Sequence, residues 1–415
     1  MTQNGYDAIV VGARCAGSPT AMLLARQGYR VLLVDRAAFP SDTLSTHIVH
    51  PPGIASLREW ELLDRLTATG CPPIHTYAFD FGPFTLTGAP GTAETPVAYA
   101  PRRTVLDKLL VDAAAQAGAE VRERFTVEEL VFDDGRVTGI RGRSASGQVT
   151  EHARIVIGAD GRHSFVARTV KPDQYDEKPA LLAGYYTYWS DLPMDGRFEV
   201  YIRENRAFAA WPTHDDLTLV IGGWPIAEFE ANRTDIEGNY LKMLELAPAF
   251  ADRVRVATRR ARYLGTAVPN YFRRPYGPGW ALVGDAGYNR DFITGQGIHD
   301  AFRDAQLCVT ALDDAWRGVR PYEDAMASYQ SARDAQVLPM YHLTLDLAAL
   351  QPPPPDLARL LAAAAGNQVA MDGFAQVNAG VLSPAEFFSE ANAGQILAAA
   401  AARPPAQARP AGQTR

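Results

Sequence analysis

Three glycine-containing motifs carry most of the chemistry that this sequence can support. The first, GARCAG at residues 12–17, follows an apolar run at 7–11 and matches the GxGxxG dinucleotide fingerprint, except that Arg14 replaces the second glycine. Such a turn brings backbone amides at a helix start close to a pyrophosphate, and Asp35 stands where a carboxylate accepts a hydrogen bond from a ribose. The motif predicts dinucleotide binding, with an ordinary strand-to-helix turn as the alternative.

The other two motifs also place a carboxylate after an apolar run. IGADGR at 157–162 is, taken alone, most simply a turn. LVGDAG at 282–287 is followed by GQG at 295–297 and then by a helical pattern. There Asp285 can bind a polyol chain, and amides at the helix start offer donors to an anionic ring edge. The three motifs together favour a single cofactor site.

Hydrophobic periodicity predicts the elements that position these motifs. Residues 7–11, 16–26 and 30–34 read as a strand, a helix and a parallel strand. Further predictions are a helix at 104–117, a strand at 121–123, hairpins at 128–140 and 148–157, a parallel strand at 280–283 and a helix at 297–315. Short aromatic-rich strands predict an antiparallel second domain, at 183–188, 197–201, 207–211 and 217–222.

The composition argues against several other classes of protein. A formal charge of -7 and a pI near 5.7 provide no basic surface for a nucleic acid. Cys15, Cys71 and Cys308 lack the spacing of a zinc site or a disulfide framework. No apolar run is long enough to span a bilayer, and the N-terminus lacks a secretory pattern. We therefore expect a cytoplasmic protein without a metal, membrane or nucleic-acid partner.

Together with RTVLD at 103–107, the motifs occur in the order found in a known family. The chain resembles FAD-dependent monooxygenases of the aromatic-hydroxylase superfamily, which are related to geranylgeranyl-reductase-like flavoproteins. The matching motifs lie between about residues 6 and 310. The resemblance implies an α/β fold that has a Rossmann-type FAD-binding domain, an inserted antiparallel β-sheet substrate domain and a helical C-terminal region.

The implied domains are discontinuous along the chain. The FAD-binding domain is expected to comprise residues 1–75, 100–180 and 273–345, and the substrate domain residues 76–99 and 181–272. A helical region at 346–402 follows, and the composition of 403–415 predicts a disordered tail.

The resemblance also implies which residues hold FAD. Gly12, Gly17 and Asp35 would bind its ADP part, and Arg103 would approach the pyrophosphate, to which Arg14 could add a guanidinium contact. Asp285 would bind the ribityl chain, residues 295–297 would lie beside the isoalloxazine, and Asp160 is associated with both FAD and the nicotinamide cofactor. The complete predicted set is Gly12, Arg14, Cys15, Ala16, Gly17, Asp35, Arg36, Arg103, Asp160, Gly161, Gly284, Asp285, Gly295, Gln296 and Gly297.

The implied reaction inserts one oxygen atom from O2 into a largely apolar, aromatic or polyketide-like small molecule through a flavin C4a-hydroperoxide. NADPH or NADH would supply the electrons, either directly or through a separate flavin reductase. Two alternatives stay open: a flavin-dependent reductase of isoprenoid or polyketide double bonds, and a protein that binds FAD or a pigment without redox turnover. The sequence contains no WxWxIP pattern, which argues against flavin-dependent halogenation.

Candidate residues around the reacting centre come from the aromatic strands and the third motif. Tyr186, Trp211, Trp224 and Phe292 are predicted to contact the substrate, although strand alternation lets only about half of the strand aromatics face one pocket. The candidate catalytic residues are His47 and Tyr288, each with a structural role as the alternative. Tyr288 and Phe292 stand where family members commonly have histidine and proline.

Overall fold

The computed structural model describes residues 5–403, so the predicted tail, apart from Arg403, lies outside the described residues. The first strands in chain order are β1 (Tyr6–Val11), β2 (Val31–Val34), β3 (Pro73–Ile74), β4 (Thr76–Asp80), β5 (Thr85–Gly88), β6 (Ala98–Tyr99), β7 (Glu120–Arg122), β8 (Thr126–Asp133), β9 (Arg136–Ser144) and β10 (Gly147–Gly158). The later strands are β11 (Gln174–Lys178), β12 (Leu182–Ser190), β13 (Arg197–Arg203), β14 (Arg206–Pro212), β15 (Thr218–Pro225), β16 (Thr258–Arg259), β17 (Leu264–Ala267), β18 (Asn270–Arg273), β19 (Tyr276–Gly277), β20 (Trp280–Leu282) and β21 (Tyr288–Asn289).

The helices connect and cover these strands. In chain order they are α1 (Gly17–Arg26), α2 (Pro51–Glu59), α3 (Leu63–Thr67), α4 (Arg103–Gln116), α5 (Phe165–Val170), α6 (Phe229–Asn232), α7 (Ile236–Leu244), α8 (Pro248–Val256), α9 (Gly297–Trp316), α10 (Tyr322–Ala348), α11 (Pro355–Ala364), α12 (Gln368–Asn378), α13 (Pro384–Phe387) and α14 (Glu390–Ala401). Short 3₁₀ turns lie at Ile226–Glu228, Gly284–Ala286 and Phe292–Thr294. Among residues 5–403, no helix combines the length and the apolarity that a membrane span requires.

The first sheet has the order β19–β20–β10–β1–β2–β7, and β20, β10, β1, β2 and β7 run parallel. Both faces of these strands are covered, which explains their unbroken apolar runs. Val10 and Leu33 point to a core shared with α1, α4 and α9. Ile9 and Leu32 point to the opposite core, which the β8–β9 hairpin completes with residues such as Ile140. The predicted fold class is thereby confirmed.

The second sheet has the order β16–β12–β15–β14–β13–β4–β5. Its hairpins are antiparallel as predicted, but β4 and β13 pair in parallel, with Arg197 opposite Thr76. The chain reaches β4 and β5 first, then passes through strands of the first sheet, and returns to the second sheet only at β12. Parallel strands require such a long connection, and no local turn in the sequence indicates it.

The two faces of the second sheet meet different parts of the molecule. Tyr186 and Trp211 point to a core that also contains residues of α11, α12 and α14. Tyr185 and Trp224 point to the opposite core, which is closed by α7 and α8. Only the first of these faces is turned toward residues that follow the third motif, since Phe292 packs against it at Gly184.

Candidate functional site

The three sequence motifs converge at one edge of the parallel sheet. Val11 lies opposite Gly158, and Gly158 lies opposite Leu282, so the loops that follow β1, β10 and β20 leave the sheet side by side. The amide of Ala159 donates to the carbonyl of Val11 at 2.8 Å, and the amide of Val283 donates to that of Gly158 at 3.0 Å. Ligands of open α/β sheets bind at this carboxyl-terminal edge.

Glycine is required where these loops touch. Gly12 has a φ of +102°, and a Cβ there would lie 2.4 Å from the carbonyl oxygen of Ala159. A Cβ on Gly17 would lie 1.7 Å from the carbonyl oxygen of Gly12, and one on Gly284 would lie 2.9 Å from the Cβ of Ala16. The first loop, the second loop and the start of α1 can therefore pack together only without these side chains.

Asp35 ties the first loop to the end of β2. Its carboxylate accepts hydrogen bonds from the amides of Ala13 and Ala37, each at 2.7 Å. Each carboxylate oxygen still has a lone pair for a further donor such as a ribose hydroxyl. The neighbouring Arg36 is exposed.

Arg14 has a different partner from the one that the sequence suggested. Its terminal nitrogens donate to the fully buried carboxylate of Asp107 and to Ser41, whose hydroxyl lies 2.8 Å away. Asp107 also receives a bond from Arg103 at 2.9 Å and from the thiol of Cys15 at 3.4 Å. Arg14 thus joins the first loop to α4.

Asp285 marks a recess between the second and third motifs. Its side chain is exposed, yet the protein atoms around it desolvate the carboxyl group and raise its pKa to about 6, while nearby Arg103 and Arg162 act in the opposite direction. An exposed carboxyl group that is desolvated by surrounding protein atoms indicates a recess rather than a convex surface, and this recess at Asp285 is called the slot. Arg162 belongs to the second motif, Asp285 to the third and Arg103 to the start of α4, so these three elements meet at this slot.

The start of α9 opens toward the same region. Gly297 is exposed, and a Cβ on it would meet nothing within 4 Å. Gln296 is buried, and its amide nitrogen donates to the carbonyl of Asn378 at 2.8 Å. Gly295 has a φ of +65°, and a Cβ on it would lie 2.6 Å from the side chain of Ile48. The residues present therefore fit a flat anionic ring placed against the first amides of α9.

Asp160 in the second motif is partly committed to structure. One carboxylate oxygen accepts from the amides of Phe165 at 2.6 Å and Val166 at 3.2 Å, which caps the start of α5. The other oxygen is buried and has no hydrogen-bond partner among the described residues. Burial raises the pKa of this carboxyl group. Gly161 beside it has a φ of +75° and open space where a Cβ would stand.

His47 lies next to the third motif in space. Its φ is +63°, its ring is buried, and its Nε2 lies 2.5 Å from the hydroxyl of Tyr188. Burial lowers the pKa of His47 well below its usual value, and the nearby Arg103 and Arg102 lower it further, so the ring is neutral. Nδ1 is buried without a partner among residues 5–403.

The structure places Tyr288, the second catalytic candidate, inside an aromatic core. Its ring stacks on Phe272 with centroids 5.3 Å apart, inside a core formed with Val337 and Tyr341 of α10. Its hydroxyl accepts a hydrogen bond from Arg303 at 3.0 Å. The side chain thus points away from the slot, because β21 turns alternate residues to opposite sides.

An apolar pocket lies where the third motif meets the second sheet. It has about 490 Å³ of empty space including its mouth, and Gly295 forms part of its wall. Two of the predicted substrate contacts, Trp211 and Phe292, line this pocket, whereas Trp224 faces α7 on the other side of the sheet and does not line it. Tyr186 lies just outside the lining, with its ring 6.4 Å from that of His47.

Several pocket residues were missed by the sequence analysis. A Cβ on Gly184 would lie 2.5 Å from the Phe292 ring, so glycine at this strand position is what admits that ring. The other walls include Thr46, Ile48, Phe198, Val200 and Ala209. Strand alternation with Trp211 could have identified Ala209 and the β13 residues, but no local signal marks Thr46.

The comparisons with known proteins agree with this geometry. The model of the family described as FAD binding domain matches residues 5–341. The digeranylgeranylglycerophospholipid reductase 2 of Methanopyrus kandleri is 30% identical over 313 residues, which cover 71% of this chain and 73% of that protein. The match to Protein FixC of Escherichia coli strain K12, 31% identical, covers only 51% of each protein.

Solved structures with low sequence identity share the fold. The myxobacterial chondrochloren halogenase CndH aligns with a TM-score of 0.76 and 22% identity, covering 92% of this chain and 100% of that one. PqsL, a probable FAD-dependent monooxygenase from Pseudomonas aeruginosa, aligns with a TM-score of 0.70 and 20% identity, covering 96% and 99%. The family match, the convergence of the three motifs and the slot at Asp285 lead to one conclusion: the chain belongs to the FAD binding domain family and is an FAD-dependent oxidoreductase.

Proposed function

We propose that this protein is an FAD-dependent monooxygenase that acts on a largely apolar small molecule. The observation that carries the proposal is the apolar pocket whose wall includes Gly295, directly beside the slot at the start of α9. Reduced FAD supplies activated oxygen when it meets O2, and such chemistry needs a water-poor pocket at the ring. Because the chain is an oxidoreductase, a protein that only stores FAD is no longer a candidate.

The residues of the slot have separable roles in this proposal. Gly12, Gly17 and Asp35 hold the ADP part, and Arg103 lies near the pyrophosphate. Asp285 accepts hydrogen bonds from the ribityl hydroxyls, which would favour its ionised form. Arg14 and Cys15 act indirectly, because both hold Asp107, which in turn positions Arg103. The other residues of the predicted FAD-binding set are proposed to contact FAD as well.

The pocket residues exclude water and orient the substrate. Phe292 and Trp211 form apolar walls, and Ile48 fills the space against Gly295. His47 is neutral and its Nε2 lies 2.5 Å from the hydroxyl of Tyr188, so the unprotonated pair lies beside the pocket without placing a net charge there. We propose NADPH or NADH as the electron donor.

Labelled oxygen tests the proposal directly. The FAD-loaded protein is incubated with NADPH, a set of apolar aromatic and polyketide-like compounds and ¹⁸O₂, and products are examined by mass spectrometry. We expect one label per product molecule. Ala209→Leu, which fills the pocket, should abolish the product, whereas Trp224→Phe on the opposite face of the sheet should retain it. Failure to incorporate label into any compound would contradict monooxygenation.

A double-bond reductase is the second candidate, and one comparison favours it. The relative from Methanopyrus kandleri is named as a reductase of digeranylgeranylglycerophospholipid, and the apolar pocket described here would also suit an isoprenoid chain. Anaerobic turnover separates the two reactions, because a reductase consumes its reductant without O2. Stopped-flow reduction by NADPH and by NADH, with and without substrate, would also show whether the electrons arrive directly.

A further inference from the structure

The walls of the apolar pocket offer almost no hydrogen bonds to a ligand. Among the described residues that line it, no side chain is charged. The indole nitrogen of Trp211 is already committed, since it donates to the carbonyl of Thr46 at 3.2 Å. Backbone groups of β14 and β15 are paired with each other in the sheet. An anionic ligand would lose its hydration here without compensation, which costs several kcal/mol.

Thr46 is the exception within this lining. Its hydroxyl has no hydrogen-bond partner in the described part of the chain, and the residue is only half-buried. The other hydrogen-bonding side chain of the lining is Trp211, whose donor is occupied. Among the described lining residues, the Thr46 hydroxyl is therefore the side-chain donor and acceptor that has no partner within the protein.

The surrounding contacts hold Thr46 in a defined place. The hydrogen bond from Trp211 anchors the carbonyl of Thr46. The positive φ of His47 directs the His47 side chain to Tyr188 instead of into the pocket. Ile48, two residues further on, packs against Gly295 of the third motif. Thr46 and Gly295 thus lie on one wall of the pocket. The packing of Ile48 against Gly295 fixes the distance between them.

We propose that Thr46 orients the substrate through one hydrogen bond, and that the substrate is an uncharged, largely apolar molecule carrying a hydroxyl or carbonyl group. This inference rests on the proposed function, because it takes the pocket as the substrate site. The hydrogen bond fixes which end of the molecule lies at Thr46 and which carbon lies toward Gly295. Thr46 is accordingly a specificity-determining residue, and it would decide the position of reaction.

Ligand binding tests the inference without depending on turnover. The FAD-loaded protein is titrated with naphthalene, 2-naphthol and 2-naphthoate, and binding is followed by the change in the flavin absorbance bands. Wild type should bind 2-naphthol roughly three- to tenfold more tightly than naphthalene, the range expected for one neutral hydrogen bond. The carboxylate should bind more weakly than either.

Matched variants assign that preference to the hydroxyl of Thr46. Thr46→Val keeps the shape and should remove the preference for 2-naphthol while leaving the affinity for naphthalene in place. Thr46→Ser keeps the hydroxyl and should retain the preference. Ala209→Leu should instead weaken both neutral ligands together, because it acts by filling space. Thermal melting and FAD content of each variant show that it is folded and loaded.

The outcomes separate this inference from the proposed function. An unchanged preference in Thr46→Val, or tighter binding of 2-naphthoate than of 2-naphthol, would overturn the role of Thr46 and leave the pocket assignment standing. If no ligand perturbs the flavin bands and Ala209→Leu has no effect, the pocket is not the substrate site, and the proposed function falls together with this inference.

Discussion

His50 illustrates how burial of a single residue sets the response to acid. Its Nε2 donates to the carbonyl of Thr294 at 3.0 Å, and its Nδ1 accepts from the hydroxyl of Tyr77 at 2.7 Å. Burial lowers the pKa of His50 to about 4 from 6.5. The unfolded chain therefore takes up the proton first, so this residue's contribution to stability is complete above about pH 6.5 and is lost as the pH falls toward 4. We expect it to account for about 3 kcal/mol of the free energy of unfolding across that window.

Chemical unfolding at several pH values between 7.5 and 4.5 measures this contribution. His50→Gln, which can keep one of the two hydrogen bonds but does not titrate, should show a shallower fall in unfolding free energy with acid than wild type. His163→Gln, at an exposed site, should keep the wild-type slope. Parallel slopes for all three proteins would show that His50 does not titrate as its burial demands.

At the scale of elements, the loop between β1 and α1 depends on Gly12 for two separate reasons. Its φ is +102°, and a Cβ would also collide with the carbonyl of Ala159 in the neighbouring loop. Gly28 provides the matched control, since its φ is +89° but a Cβ there would meet nothing within 4 Å. Gly28→Ala should cost roughly 1 kcal/mol, for the backbone conformation alone, and Gly12→Ala at least about twice as much.

Thermal melting and the ratio of flavin to protein absorbance check this expectation together. Gly12→Ala should melt at a lower temperature than Gly28→Ala and retain less FAD, because the collision displaces the two loops that form the slot. Equal loss of stability in the two variants would mean that backbone conformation, and not the contact with Ala159, makes glycine necessary at position 12.

On the scale of the whole molecule, the C-terminal helices are docked on the second sheet by close backbone contact. A Cβ on Gly88 of β5 would lie 2.3 Å from the carbonyl oxygen of Met371 in α12, and Phe374 of that helix packs against Phe79 of β4. Gly88→Val should therefore separate α12 from the sheet. We expect limited proteolysis to cut the exposed 351–354 segment faster in this variant and to release a C-terminal fragment that mass spectrometry identifies.

Gly394 provides a comparison within the same region. It lies inside α14, and a Cβ there would meet nothing within 4 Å. Gly394→Ala should digest like wild type or more slowly, because alanine favours the helix. Rapid cleavage of Gly394→Ala, or wild-type resistance of Gly88→Val, would contradict the view that contact at Gly88 holds the helical region in place.

Much of the element pattern was predictable because it is local. The helix predicted at 16–26 begins at Gly17 and ends at Arg26, and the one predicted at 104–117 spans Arg103–Gln116. The antiparallel pairs β8–β9 and β9–β10 also form in the region where hairpins were predicted. Hydrophobic periodicity and glycine turns predict structure from residues that lie within about one helix length of each other. Each of these elements is short enough to be predicted in this way.

What the sequence by itself determined was the set of motifs, their order and hence the FAD-binding family. Only the tertiary structure decided which side chains meet. Arg14 binds Asp107, which is 93 residues away, Tyr288 turns into the core beside α10, and Trp224 faces α7 while Trp211 lines the pocket. Side chains that are distant along the chain are brought together by strand register and helix packing, and the facing of one residue can reverse with a one-residue shift in register. Local sequence patterns therefore do not show which of these distant side chains meet.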